Sequence, residues 1–507
     1  MQQPAHAFPR ARHTAARCAV LLLALALLLT AAPTALAAKV PTAPPASETL
    51  LAAAQALDTY QIDAVFDPKL STLTCTQRVV YTNRTGLAQE MLYFHAYANA
   101  FKREDTSPAA VPDLAENTYG AAGFDPGEIA FDAVAVDGAP VAFALMGADE
   151  AVLRVPVGAL QPGQAVTLDM AYTLRIPLCG FRFGVKDKIW NLGNVFPIAA
   201  IHDAQGWRLD PYGSIGDPFY SACANYTVTL DAPRAYIAAA SGALRAQETK
   251  SGRTVWRWEA PAVRDFALTL SERYKVEQKL VDGVLVSGYA TTAKNARNTQ
   301  RFAETALGIY TQLFGAYPYP ALSAAEAQLG GYGGMEYPGF VMIDADQYER
   351  PGALEMVVAH EVAHQWWYAM VGNDEIREPW LDEALTEYST LMYYEKQYGL
   401  STFEQLYEAR VEKALRADLP SDRTIASDVD TFSTLSEYST VVYQRGAGML
   451  HGLRLAVGEE MFLDVMRAYA ERHRFGIATR ADFIAVCNEV TGSNWQGYFD
   501  DYLDSGL

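Results

Sequence analysis

His360-Glu361-Val362-Ala363-His364, followed by Gln365-Trp366-Trp367, lies inside a largely apolar run, Leu354 to Val371, that reads as a helix. On a helix, residues four apart share one face. His360 and His364 can therefore point at one metal ion, with Glu361 beside them. Two imidazoles that hold zinc and one carboxylate that takes a proton from zinc-bound water are the chemistry this spacing serves. Taken alone, the same positions are also a polar helix face that carries two histidines.

A catalytic zinc site needs a third protein ligand and an open position for water. The segment Glu378-Pro379-Trp380-Leu381-Asp382-Glu383-Ala384-Leu385-Thr386-Glu387 opens the next helical pattern. Eighteen residues separate His364 from Glu383. A helix end, a turn at Gly372-Asn373-Asp374 and a returning helix fit that gap, so Glu383 is the expected third ligand. Asp382 is its neighbour and rival. Glu387, one turn on, is placed to orient a ligand histidine. The four cysteines after residue 37, Cys75, Cys179, Cys223 and Cys487, lack metal-site spacing. Cys179 and Cys223 are the one pair weighed as a disulfide; buried free thiols are the alternative.

The first 37 residues read as a signal peptide. Arg10, Arg12 and Arg17 precede an apolar Leu/Ala run from Cys18 to Ala32, and Ala35-Leu36-Ala37 is a small-x-small cleavage site. The run is short for a membrane span, so the protein is expected to be exported, with an uncleaved anchor as the alternative. Residues 38–47, rich in proline, are a linker. The formal net charge of −19 becomes more negative once the arginines leave. It argues against nucleic acid or an anionic membrane surface as partner.

Residues 48–278 carry short alternating strands with turns between them, among them Thr72 to Asn83, Glu128 to Val136 and Val166 to Ile176. They predict an antiparallel β-domain. From 279 to 507 the pattern is mainly helical. A long helix, Ala293 to Phe314, stops at Tyr317-Pro318-Tyr319-Pro320. Strands at Leu322–Leu329 and Phe340–Ile343 flank a glycine-rich stretch, Gly330 to Gly339. Ser401 to Glu404 and Thr479 to Asp482 carry capping-box signals. The fold class is α+β and multidomain, with the metal helix between a mixed lobe and a helical lobe. Glu336, at the end of the glycine-rich stretch, is either a solvated turn residue or a partner for a ligand's ammonium group beside a strand edge.

The chain resembles the aminopeptidase N-like zinc metallopeptidases of peptidase family M1, whose hallmark is H-E-x-x-H, eighteen residues, then Glu. Gly333-Gly334-Met335-Glu336-Tyr337 resembles the family's Gly-x-Met-Glu-Asn segment, with Tyr337 in place of Asn. Trp380-Leu381-Asp382-Glu383 stands for Trp-Leu-Asn-Glu. Tyr443-Gln444-Arg445-Gly446, sixty residues after Glu383, stands for Tyr-Glu-Lys-Gly. Leu92 to Tyr97 extends the likeness into the β-domain. The chain ends soon after the catalytic region, without the large helical C-terminal domain of many members.

The resemblance implies a saddle-like β-domain followed by a thermolysin-like domain, with one zinc ion on His360, His364 and Glu383. It implies Glu361 as general base and Tyr443, rather than Tyr438, as the donor to the developing oxyanion. It implies that Gly333, Gly334, Met335 and Glu336 bind a peptide, with Glu336 on its free N-terminus. The activity implied is an aminopeptidase. A zinc endopeptidase and a non-catalytic binding protein on the same fold are the alternatives. Asn191 and Asn194 are weighed as pocket residues of the β-domain, and Asn83 and Asn225 as glycosylation sequons.

Overall fold

A computed structural model of the chain describes residues 42–110, 114–418 and 422–505. The expected signal peptide and residues 38–41 of the expected linker lie outside them. Among the described residues, no helix is long and apolar enough to cross a membrane.

The N-terminal region is built on an eight-stranded sheet. Its order is Ala243–Lys250, Arg253–Val263, Ala224–Pro233, Thr59–Asp67, Thr72–Thr82, Ala165–Arg175, Glu128–Val136 and Ala139–Pro140. The long strands alternate buried and exposed residues, as period-2 patterning requires of a sheet with one covered face. One pair departs from the antiparallel expectation: Thr59–Asp67 runs parallel to Ala224–Pro233, with Tyr60 opposite Tyr226. Two four-stranded sheets and one two-stranded sheet, His202–Asp203 with Gly206–Trp207, complete the region among the described residues. One of them contains the hairpin Phe183–Lys186 and Ile189–Leu192, which delivers Gly193 and Asn194 toward the catalytic region.

A five-stranded sheet then takes over, in the order Lys275–Val281, Val284–Ala290, Ala321–Ala327, Phe340–Asp344 and Gly334–Met335. Residue 278 lies inside its first strand, so this sheet claims the chain from Lys275 onward. The helix Ala293–Phe314 joins two parallel strands, as a crossover connection must. Thr292 caps its start. Gly334–Met335 is the short antiparallel edge strand.

The metal helix is shorter than its apolar run. It spans Ala353–Ala363 and ends at His364. The residues after it wind into irregular turns: Trp366, Trp367 and Tyr368 are all buried, and Tyr368 takes φ 154°. Trp366 donates its indole N–H to the Gly315 carbonyl and Trp367 donates to Ser389. Arg264 of the β-domain donates to the Tyr368 carbonyl at 2.7 Å. Val358 and Val362 are fully buried, each worth about 1.5–3 kcal/mol of burial. Tyr310 bonds the Ala359 carbonyl, so the long helix fixes the metal helix in place.

The helical lobe contains Trp380–Tyr398, Gly446–Val457, Glu459–Arg472, Arg480–Thr491 and Gln496–Asp504. The Thr479–Asp482 capping box forms as expected. The one expected at Ser401 does not, because the helix there already begins at Leu400, with Gly399 at φ 93° as its N-cap, so Ser401 lies inside it. Around Tyr443 the chain forms Leu435–Tyr438, a π-helical turn over Ser439–Arg445, and Gly446–Val457. Cys75, Cys179, Cys223 and Cys487 are all buried free thiols, so the weighed Cys179–Cys223 disulfide is absent.

Candidate metal centre and active site

His360 and His364 lie one turn apart on the metal helix, their ring centroids 5.0 Å apart. The chain turns at Asp374, whose side chain accepts the N–H groups of Ile376 and Arg377. The helix Trp380–Tyr398 then returns and puts Glu383 in its first turn. Oε2 of Glu383 lies 3.4 Å from Nε2 of His360 and 3.3 Å from Nε2 of His364. That oxygen is buried and accepts no hydrogen bond. A buried carboxylate oxygen without a donor is costly unless a cation meets it. Ligand atoms from all three residues lie within 4.8 Å of one another. Two imidazoles and one carboxylate so arranged fit zinc with a position left open.

The imidazoles are held from behind. Nδ1 of His364 is 3.0 Å from the Trp367 carbonyl and 3.1 Å from the Thr386 hydroxyl. Nδ1 of His360 is 3.8 Å from Glu387, which takes a 2.5 Å bond from Arg410. Glu387 thus stands where the spacing placed it. Arg410 and Thr386 had no sequence signal. Arg410 lies in a second π-helical turn, Glu408–Glu412, packed near the one that carries Tyr443. Such turns are frequent at functional sites, and no residue pattern announces them.

Glu361 is buried beside the edge strand. A Cβ built on Gly334 would come within 2.3 Å of its Oε1. Burial first, then the charge of Glu336, raises Glu361 well above the usual carboxylate range. Glu336 is also buried, with Oε1 unpartnered. Burial, then the Asp217 carboxylate, pushes it up to about 8. For Glu383, burial acts upward, but His364 followed by His360 overrides it and holds the group at about 2. Asp382, the rival ligand, is buried and uses Oδ1 to accept the Glu383 N–H. Ligand atoms of Glu336, His364 and Asp382 form a second convergent group. The site is buried and crowded with carboxylates, and it favours cations.

Tyr443 stacks on His360, with ring centroids 5.8 Å apart, and donates its hydroxyl to Glu383. Tyr438 packs on Tyr443 and faces Gly216 of the β-domain instead. Gly334 and Met335 form the edge strand, with Gly333 just before it. The Met335 sulfur accepts from Arg182 at 3.0 Å. Arg182 is buried, pairs with Asp217, and lies over Phe181, Phe219 and Tyr332. Sequence reading missed this pair, since nothing marks a charged residue as buried.

Asn191 and Asn194 are buried and committed to the protein. Asn191 donates to the Phe181 and Gln328 carbonyls, and Asn194 bonds Tyr337 and Asp265. Asn83 is likewise buried, its amide on Leu87 and Leu160, which removes it as a surface acceptor for a glycan.

Residues 302–502 match the description "Peptidase family M1 domain". Aminopeptidase N of Lactococcus lactis is 28% identical over 158 residues, covering 29% of this chain and 18% of that protein. The tricorn protease-interacting factor F2 of Thermoplasma acidophilum is 24% identical over 311 residues, covering 57% of this chain and 38% of that one. The chain thus spans well under half the length of these relatives. The solved structure of an M1 zinc metallopeptidase from Deinococcus radiodurans superposes with a TM-score of 0.62 at 17% identity, covering 90% of this chain and 96% of that one. This last is a likeness of fold.

Proposed function

We propose that this chain, whose residues 302–502 form a peptidase family M1 domain, is an exported zinc aminopeptidase that removes the first residue from peptides with a free N-terminus. Zinc held by His360, His364 and Glu383 would polarise the scissile carbonyl and acidify a water molecule. Glu361 takes the water's proton and returns it to the leaving amine. Tyr443 donates its hydroxyl to the carbonyl oxygen as negative charge develops there. The free edge of Gly334–Met335 pairs with the peptide backbone, as an added strand would.

The observation that carries the exopeptidase reading is Glu336. Its carboxylate is buried at the end of that edge strand with one oxygen unpartnered. An α-ammonium group satisfies it by a charge-assisted contact. Binding there registers the peptide so that the first carbonyl meets the metal.

The test is a panel of aminoacyl chromogenic substrates, run with and without a zinc chelator and with Glu361→Gln. Chelator-sensitive release that is lost in Glu361→Gln is the expected result. Full activity in Glu361→Gln rejects the mechanism.

A further inference from the structure

Tyr337 is fully buried directly after Glu336. A buried phenol needs a hydrogen-bond partner. Here its hydroxyl donates to Oδ1 of Asn194, 2.7 Å away. The same amide donates through Nδ2 to Oδ2 of Asp265 at 2.8 Å, and Oδ1 of Asp265 accepts the Phe266 N–H at 2.6 Å. Asn194 and Asp265 both belong to the β-domain. Asn194 takes φ 55°, a left-handed conformation that Asn tolerates better than most residues. Gly193 leaves room for the phenol: a Cβ there would lie 1.9 Å from the Tyr337 oxygen. The β-domain is shaped to receive this hydroxyl.

The other side of the same turn is held by the metal helix. Gln365, next to His364, accepts the Gly339 N–H at 2.8 Å and donates to the Tyr337 carbonyl at 3.2 Å. The backbone around Glu336 is therefore fixed from the catalytic region by Gln365 and from the β-domain by the Tyr337 side chain. Of these two holds the second crosses between the regions, and Arg182 of the β-domain also meets Met335, on the other side of Glu336.

We propose that Tyr337, Asn194 and Asp265 act as a positioning relay: the β-domain sets the place of the Glu336 carboxylate through the Tyr337 hydroxyl, and thereby the selectivity for a free N-terminus. The proposal rests on the reading of Glu336 as the amine partner. None of the three residues touches substrate. A misplaced anchor weakens ammonium binding in ground and transition states alike, so KM rises while kcat is nearly kept.

Tyr337→Phe removes the hydroxyl and keeps the ring. Asp265→Asn keeps the shape at the far end of the relay, and it serves if the phenylalanine variant folds poorly. Each is measured with a free-amine aminoacyl anilide and with a peptide substrate in free and N-acetylated form, alongside zinc content and melting temperature. The expected result is a rise of about tenfold in KM for free-amine substrates, kcat within about twofold, full zinc, and a smaller preference for free over capped peptide. Tyr337→Phe and Asn194→Ala are expected to be strongly non-additive in KM, as members of one network are. Unchanged KM and unchanged preference in both single variants overturn the relay. So does a fall in kcat and zinc content with KM intact, which marks a merely structural role. If the unmutated enzyme itself cuts capped peptides as well as free ones, the reading of Glu336 fails instead, and the relay fails with it.

Discussion

Gly334 and Glu361 are in such close approach that a methyl group on the glycine would sit 2.3 Å from the carboxylate oxygen. The proposed general base and the edge strand thus share one space, and only a residue without a side chain keeps both in place. Gly334→Ala is expected to push Glu361 aside while leaving the zinc ligands bound. A misplacement of about 1 Å costs on the order of a hundredfold in rate. Zinc analysis and kcat measured together check this. Wild-type turnover in the alanine variant would show that Glu361 has room to spare.

Tyr443 donates to Glu383 while stacked on His360. Tyr443→Phe keeps the stacking and removes the donor. Its kcat is expected to fall about 100- to 1,000-fold, with KM changed little. Tyr438→Phe, one ring further out, is the control and should retain most of the turnover. Equal losses in the two variants would remove the distinction drawn between these tyrosines.

Glu387 stands behind His360 and is anchored by Arg410. Groups that orient a ligand histidine typically contribute 10- to 100-fold in metal affinity. Glu387→Ala is therefore expected to bind zinc that much more weakly, as read by competition against a chelator of known affinity. Unchanged affinity would reduce Glu387 to a partner of Arg410 alone.

Asp265 is buried, and burial raises its carboxyl to about 7 from an ordinary value of 3.8. The folded protein therefore holds this proton more tightly than the unfolded chain does. The stabilisation is complete below about pH 3.8 and is lost as pH rises through about 7. The stability of the wild type relative to Asp265→Asn should fall by roughly 4 kcal/mol across that window. Urea unfolding of both proteins at several pH values measures it. A difference that stays constant, or grows with pH, contradicts the assignment.

Much of this site was readable from the chain. His360, Glu361, His364 and Glu383 converge because helical period and an antiparallel return are local rules, visible as spacing. The long helix Ala293–Phe314 ends at Gly315, φ 103°, just ahead of the prolines that mark its stop. The unreadable parts depend on distant pairing. The metal helix stops at Ala363 and the chain turns through three buried aromatic residues, Trp366, Trp367 and Tyr368, which an apolar run does not disclose. The π-helical turns that aim Arg410 and Tyr443 have the same residue pattern as ordinary helix. Arg182, Asp217 and Asp265 are charged residues in strand and loop segments that read as surface. Tyr337 was visible only as an odd substitution, and its meaning appears once Gly193 and Asn194 are seen against it.

The account stands or falls on whether the enzyme counts one residue from a free amine. One peptide, prepared with a free and with an N-acetylated terminus, can be incubated with the zinc-loaded protein and its products identified by mass spectrometry. The account predicts release of the first residue from the free peptide, abolished by chelation, and no cleavage of the capped peptide. Internal cleavage of both forms at similar rates would contradict it.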